Sequence, residues 1–215
     1  FSIKTQAIFL SPLYLILYLK NRIPAWVAVL LPATYFLIVI PSWLVGRPLA
    51  DLLTIHLHQA QTYNQLTLNA PNLYQWLPHD YELFGVGNPH LPSFSMIAAI
   101  TSVFLFCFVV RKSKVEISEA LIIRLSLLSV LLVPFFMPMM HERYFFPADV
   151  LAIIYAFYFP RYFFVPIVIG LASLFSYFPF LFHKILIEPR YLAMLMGAML
   201  VVVAADTPRR LRRRA

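Results

Sequence analysis

Long runs of apolar residues, separated by short polar or proline-containing breaks, dominate the hydrophobic pattern of the chain. A helix that crosses a membrane needs roughly 20 predominantly apolar residues. Backbone groups have no water to bond in lipid, so such segments form helices rather than open strands. The pattern therefore predicts an all-α fold: a polytopic transmembrane bundle of about seven helices in one membrane domain, residues 1–215. The predicted segments are 3–19, 23–45, 92–110, 120–140, 144–160, 163–182 and 189–205.

One connection, residues 46–91, is too long for a simple turn between neighbouring helices. Its first part, 49–66, mixes leucine and isoleucine with polar residues, which predicts an amphipathic helix lying in the membrane interface. Its second part, 69–90, is rich in Pro, Asn and Tyr and contains Trp76, which is typical of an ordered irregular segment at headgroup level. A loop of this kind either only covers the bundle or carries function.

Composition narrows the class of protein. Hydrophobic residues make up 61% of the chain and charged residues only 12%. This excludes a disordered chain, which is poor in apolar residues, and an ordinary soluble globule, which needs more polar residues to cover its surface. The single cysteine, Cys107, lies in an apolar run and excludes a disulfide framework. His56 and His58 point to nearly opposite sides of a helix, so no metal site is expected there.

The net charge of +8 is distributed unevenly along the chain. If the seven predicted helices alternate in direction, eleven of the 17 Lys and Arg residues flank one face and five flank the other. Cytoplasmic loops are rich in Lys and Arg, so this predicts a cytoplasmic C-terminus and an outer position for the 46–91 loop. The basic run 209–214 is expected to bind anionic lipid rather than nucleic acid. Arg124, inside the fourth segment, is expected to extend toward the basic interface.

The outer face gathers groups that can titrate and hydrogen-bond, and its sharpest pattern is His141-Glu142-Arg143-Tyr144 between two apolar segments. Ionisable residues at a membrane boundary cost free energy unless they are paired or hydrated, so they indicate a functional site. Arg143 offers a planar fork of donors for phosphate or carboxylate. His141 can donate to a phosphate oxygen or carry a proton. The alternative is a structural ion pair that fixes two helix ends. Asp149 either pairs with Arg143 or contacts another helix.

Four strings in the sequence resemble a known family. The string PMMHERYFFPAD at 138–149 resembles the His-Glu-Arg/Lys motif of GT-C membrane glycosyltransferases. The string KTQAIFLSP at 4–12 is similar to their Lys-Gln helix, which ends in proline. The strings GRPLAD at 46–51 and NAPNLYQW at 69–76 resemble bacterial relatives of the GPI mannosyltransferase II family.

The resemblance implies a transferase that moves a sugar, mannose or another hexose, from a polyprenyl-phosphate donor. The acceptor is then a glycan, a lipid or a protein on the outer face of a bacterial plasma membrane. No residue is assigned to a metal or to a further cofactor, and whether a divalent ion assists stays open. The residues implied to hold the donor phosphate are His141, Arg143 and Lys4. The residues expected to support them are Glu142, Tyr144, Asp149 and Gln6. The candidates in the outer loop are Asp51, His79, Asp80 and Tyr74.

The resemblance also implies a general base that the chain does not show. Members of the family use an Asp or Glu in their first outer loop, and no matching loop precedes 4–12. The chain is therefore expected to be the C-terminal portion of a larger GT-C fold and to be inactive alone. Two other functions stay open: a secondary transporter or flippase-like protein, with which Pro-interrupted helices are compatible, and a non-catalytic membrane subunit that presents the outer loop to a partner.

Overall fold

The computed structural model describes residues 5–60, 65–77 and 91–211. Helix is the main structure in these ranges, as the hydrophobic pattern predicts, and a short 3-10 helix, Thr5–Leu10, leads into the first of eight α-helices. In chain order these are α1 Ser11–Leu19, α2 Val27–Leu44, α3 Leu49–Ala60, α4 Leu91–Lys112, α5 Glu119–Phe136, α6 Phe146–Tyr158, α7 Phe164–Phe182 and α8 Pro189–Leu211.

Five of the described helices are long and apolar enough to cross a membrane, judged by length and composition. They cover Val27–Leu44, Ser93–Lys112, Glu119–Phe136, Pro160–Phe182 and Pro189–Thr207. The first predicted segment forms a shorter apolar helix, Gln6–Leu19. The fifth forms α6, whose 13 residues extend about 20 Å, less than the thickness of a bilayer core. Several apolar helices could thus cross a membrane, as in an integral membrane protein.

The helix predicted over 120–140 is wrong at its C-terminal end, because α5 ends at Phe136. Met137 precedes Pro138, whose ring disfavours the helical conformation of the residue before it. Met137 accordingly has an extended backbone, with ψ 132°. The chain therefore leaves the bundle axis before His141 instead of carrying the helix up to it.

The long loop contains the predicted helix, but over fewer residues. The helix expected at 49–66 is present as α3, and the chain is extended again at a two-residue strand, β1 Thr67–Leu68. This strand pairs in parallel with β2, Met140–His141, so that Thr67 faces Met140 and Leu68 faces His141. The loop and the residues that follow α5 are thereby joined by backbone pairing.

α5 occupies the centre of the bundle. Within its span 67% of the residues are buried, against 6% for α2. It packs against α4, α6 and α8, while α7 packs against α6 and α8. The buried side chains Leu125, Leu127, Val130 and Leu131 form its contribution to the core. The outward faces of α4 and α7 expose large apolar side chains such as Phe104 and Leu174, a surface that suits lipid better than water.

Two side-chain hydrogen bonds join the C-terminal ends of α1 and α4. The Lys20 Nζ donates to the Ser113 carbonyl, and the Arg111 Nη1 donates to the Leu19 carbonyl at 3.2 Å. The C-terminal ends of α1 and α4 therefore lie together, next to the start of α5. We call this the basic end of the bundle, and we call the opposite end, where α5 gives way to α6, the motif end.

Arg124 does not extend toward an interface, so that expectation is wrong. Its side chain is buried in the bundle, and its Nε lies 2.5 Å from Oδ2 of Asp206 on α8. Its guanidinium carbon also lies 3.6 Å from the ring centre of Phe159. Because α5 is central, the face that carries Arg124 meets a neighbouring helix instead of lipid.

Candidate functional site

The His-Glu-Arg sequence lies in the connection between α5 and α6, at the motif end. Met139 has a left-handed backbone with φ 59°, and its amide donates to the Leu66 carbonyl at 2.8 Å. After β2 the chain forms a 3-10 helix, Glu142–Phe145, and Pro147 then lies in the first turn of α6. Proline is well accommodated there because the first turn has no intrahelical use for its missing N–H. The motif thus lies between the end of α5, which precedes Pro138, and the start of α6, whose first turn contains Pro147.

The three side chains of the motif differ in exposure. The side chain of His141 is 13% exposed and that of Glu142 only 6%, with 3.9 Å between His141 Nδ1 and Glu142 Oε2. The side chain of Arg143 is exposed, and within the described ranges no ion pair involves it. A structural ion pair through Arg143 therefore has no support in the described part of the chain.

Burial shifts the pKa values of His141 and Glu142 in opposite directions, and both shifts favour the uncharged form. It lowers the pKa of His141, and the nearby Arg143 charge acts in the same direction. It raises the pKa of Glu142, against the opposing effects of a backbone hydrogen bond and of Arg143. At neutral pH the His141 imidazole is uncharged, with one donor and one acceptor nitrogen. The permanent positive charge of the motif therefore lies on the exposed Arg143.

The segment before α1 reaches the same place. Gln6 Nε2 donates to the Arg143 carbonyl at 3.4 Å. The Tyr144 ring lies edge-on to His141, with ring centres 5.4 Å apart, and edge-on to Phe9 at 5.9 Å. The structure thus brings together two of the strings that carry the family resemblance, although they are more than 100 residues apart in sequence. Lys4 lies outside the described residues.

Asp149 contacts another helix rather than Arg143. The Ser173 hydroxyl on α7 donates to Asp149 Oδ2 at 2.9 Å. The other oxygen, Oδ1, is buried and has no hydrogen-bond partner among the described residues. Tyr177, one turn further along α7, lies within electrostatic reach of Asp149, Glu142 and Arg143. Sequence reasoning missed both α7 residues, since a lone Ser and Tyr in an apolar run carry no local signal of this contact.

The outer-loop candidates have different outcomes. Tyr74 is buried at the motif end, where its hydroxyl donates to the Phe136 carbonyl at 2.6 Å and lies 3.2 Å from the Ser95 carbonyl. Asp51 is exposed in the first turn of α3, which packs against α2. His79 and Asp80 lie outside the described residues. Tyr74 is therefore the outer-loop candidate that the described residues connect to the motif.

A second polar cluster, which sequence reasoning also missed, lies toward the basic end. Asp206 accepts hydrogen bonds from Arg124 Nε at 2.5 Å, from the Tyr155 hydroxyl at 3.1 Å and from the Tyr162 hydroxyl at 2.9 Å. These donors come from α5, from α6 and from the 3-10 helix Pro160–Tyr162. Every oxygen of the carboxylate is used, which is typical of a cluster that fixes helices together.

The motif end can bind an anionic oxygen, since an exposed guanidinium and a neutral imidazole are both donors there. A metal site has no support in the described ranges, where no group of three or more His, Cys, Asp or Glu residues is placed to hold a metal ion. Comparison of the chain with protein-family models, with curated proteins and with solved structures finds no match.

Proposed function

We propose that this chain is part of a membrane glycosyltransferase that takes a hexose, such as mannose, from a polyprenyl-phosphate donor. In this proposal the helix bundle lies in a bacterial plasma membrane, the basic end faces the cytoplasm, and the motif end lies at the outer surface. The polyprenyl tail then remains in lipid while its phosphate reaches the depth of the motif.

The proposal rests above all on the exposed guanidinium of Arg143 beside the neutral imidazole of His141. Arginine binds a phosphate through two parallel hydrogen bonds, and a neutral histidine adds a further N–H donor. The carboxyl group of Glu142 is buried, and its raised pKa brings it closer to the uncharged form. Repulsion between this carboxyl and a bound phosphate is correspondingly reduced.

The chemistry of transfer fits such a site. When the bond between the anomeric carbon and the phosphate oxygen breaks, the phosphodiester donor becomes a phosphate monoester and gains a negative charge. Fixed donors near that oxygen stabilise the transition state more than the ground state. The acceptor hydroxyl loses its proton to a base, which members of the family that the chain resembles supply from an Asp or Glu in their first outer loop.

Two arginine variants test the proposal. Arg143→Ala removes the exposed guanidinium of the motif, while Arg190→Ala removes a matched exposed arginine at the motif end that pairs with Glu188 at 2.6 Å. Polyprenyl-phosphate binding is measured on the reconstituted chain, and hexose transfer is measured in membranes that contain the product of the complete gene. We expect Arg143→Ala to abolish transfer and weaken binding at least tenfold, about the effect of losing one charge-assisted contact.

The control variant and the alternative functions lead to different results. Arg190→Ala should retain both binding and transfer. Near-normal transfer by Arg143→Ala would refute the assignment of this residue. Proton- or sodium-dependent uptake by vesicles, without any hexose transfer, would favour the transporter alternative over the proposal.

A further inference from the structure

α5 ends with two backbone carbonyls that its own helix does not satisfy. The last four carbonyls of a helix lack intrahelical partners, and the extended backbone at Met137 ends the helix before later residues can supply them. Two side chains from the long loop take over. The Tyr74 hydroxyl donates to the Phe136 carbonyl at 2.6 Å, and Asn72 Nδ2 donates to the Met137 carbonyl at 3.5 Å.

The loop segment 66–76, which we call the loop brace, is itself well ordered by hydrogen bonds. Asn72 Oδ1 accepts from the Tyr74 amide at 3.1 Å and so caps the 3-10 helix Leu73–Trp76. Gln75 Nε2 donates to the Ala70 carbonyl at 2.7 Å and to Thr67 Oγ1 at 3.3 Å. Asn72 is fully buried and Tyr74 is only 4% exposed. Such an ordered segment can hold the backbone that it contacts in a fixed position, and it does more than cover the bundle.

The other end of the loop brace holds the residues that lead into the motif. The Leu66 carbonyl accepts from the Met139 amide, which stabilises the left-handed backbone of Met139. β1 then pairs with β2, and Asn69 forms a further bridge to His141. The backbone from 136 to 141 is therefore held at its start by side chains of the loop brace and at its end by backbone pairing.

We propose that Tyr74 is a positioning residue for the phosphate-binding donors of the motif, assisted by Asn72. Its hydroxyl donates to the Phe136 carbonyl at the end of α5 and also lies 3.2 Å from the Ser95 carbonyl near the start of α4. It thereby fixes the point from which the backbone turns toward His141 and Arg143. Tyr74 does not itself touch the phosphate. This proposal rests on the proposed function, because the donors that Tyr74 positions are taken to bind a lipid phosphate.

Tyr74→Phe removes the hydroxyl and keeps the ring. Tyr158→Phe is the matched control, since its hydroxyl bonds Glu119 at 3.1 Å on the exposed surface of the basic end. The protein is reconstituted in phosphatidylcholine nanodiscs, and the binding of a polyprenyl phosphate is measured. We expect a five- to tenfold loss of affinity for Tyr74→Phe, the size of one hydrogen bond, and no change for Tyr158→Phe.

The Arg143→Ala background separates positioning from general destabilisation. If Tyr74 acts through the donors of the motif, Tyr74→Phe should cause a clearly smaller fold-loss of affinity once Arg143 is Ala, because only His141 is then left to be positioned. An equal fold-loss in both backgrounds would overturn the inference. Asn72→Asp provides a second variant, because it keeps the oxygen that caps Tyr74 but removes the donor to Met137. Its effect should have the same direction.

Amide hydrogen exchange distinguishes failure of the inference from failure of the proposed function. In Tyr74→Phe the peptides covering 137–146 should exchange faster, while those covering 121–131 in α5 should be unchanged. Unchanged exchange over 137–146 would overturn the positioning role. If the unaltered protein binds no polyprenyl phosphate while exchange over 137–146 still responds to Tyr74→Phe, the proposed function fails, and with it the purpose assigned to Tyr74.

Discussion

Replacing Asp206 by Asn should destabilise the bundle strongly, because the change leaves a buried guanidinium without its anionic partner. The side chains of Arg124 and Asp206 are 4% and 11% exposed, so water screens their pairing very little. Breaking a buried ion pair by changing one partner costs roughly 3–5 kcal/mol. Arg124 keeps its bond to the Ala120 carbonyl at 3.1 Å and its contact with the Phe159 ring. We therefore expect the lower end of that range, about 3 kcal/mol.

Unfolding by a denaturing detergent in mixed micelles measures this change. The free energy of unfolding of Asp206→Asn is compared with that of Glu188→Ala, which breaks an ion pair whose side chains are 52% and 54% exposed. Exposed pairs contribute only about 0–1 kcal/mol, so the control should lie within that range. The double variant Arg124→Met with Asp206→Asn should be more stable than Asp206→Asn alone, since it no longer carries the unpaired buried charge.

A loss of less than about 1 kcal/mol for Asp206→Asn would refute the reasoning. It would mean that water reaches Arg124 and replaces the lost carboxylate. A double variant no more stable than Asp206→Asn alone would also contradict it, because removing the unpaired guanidinium would then have restored no stability.

Three further predictions concern the motif end and the topology. Burial holds the pKa of His141 in the folded protein below its pKa in the unfolded chain. The contribution of His141 to stability is therefore present above the unfolded-state pKa and is lost as pH falls through the folded-state pKa. His141→Gln should flatten the decline of the unfolding free energy between pH 7 and pH 5, and an unchanged slope would contradict this. Ser173→Ala should cost about 1–3 kcal/mol of unfolding free energy in a thermal or detergent assay, because it removes the hydroxyl that donates to Asp149. Ser129→Ala should be nearly neutral, since the Ser129 hydroxyl bonds the Leu125 carbonyl of its own helix. Equal effects of the two variants would argue against the α6–α7 contact. An impermeant maleimide applied to whole cells should label Gln65→Cys but not Lys114→Cys, and labelling of both from one side would refute the proposed topology.

The sequence predicts most of the helices because each one carries its own apolar run. Met137 before Pro138 is a local signal that a helix can stop, although α5 continues through the same signal at Val133 and Pro134. The motif residues His141 and Arg143 stand out because charged groups are rare beside such apolar segments. These features share one property: the residues that determine them are close together in the chain.

The contacts that define the two polar clusters are not local. Arg124 and Asp206 are 82 residues apart, and β1 and β2 are two-residue strands that leave no alternating pattern to detect. The expectation for Arg124 is wrong because the sequence shows how near a residue lies to the end of its helix, but it does not show which helix packs against that residue. The same holds for Ser173, which becomes recognisable only once α6 and α7 are packed together.

The position of the bound phosphate shows whether the motif end holds the donor. A polyprenyl phosphate with a photoreactive group next to the phosphate is reconstituted with the protein, irradiated, and mapped by mass spectrometry. We expect cross-links to peptides covering 137–149 and 5–10, at the motif end. Cross-links confined to the groove at the basic end, which Tyr14, Tyr18 and Pro24 help to line, would contradict it.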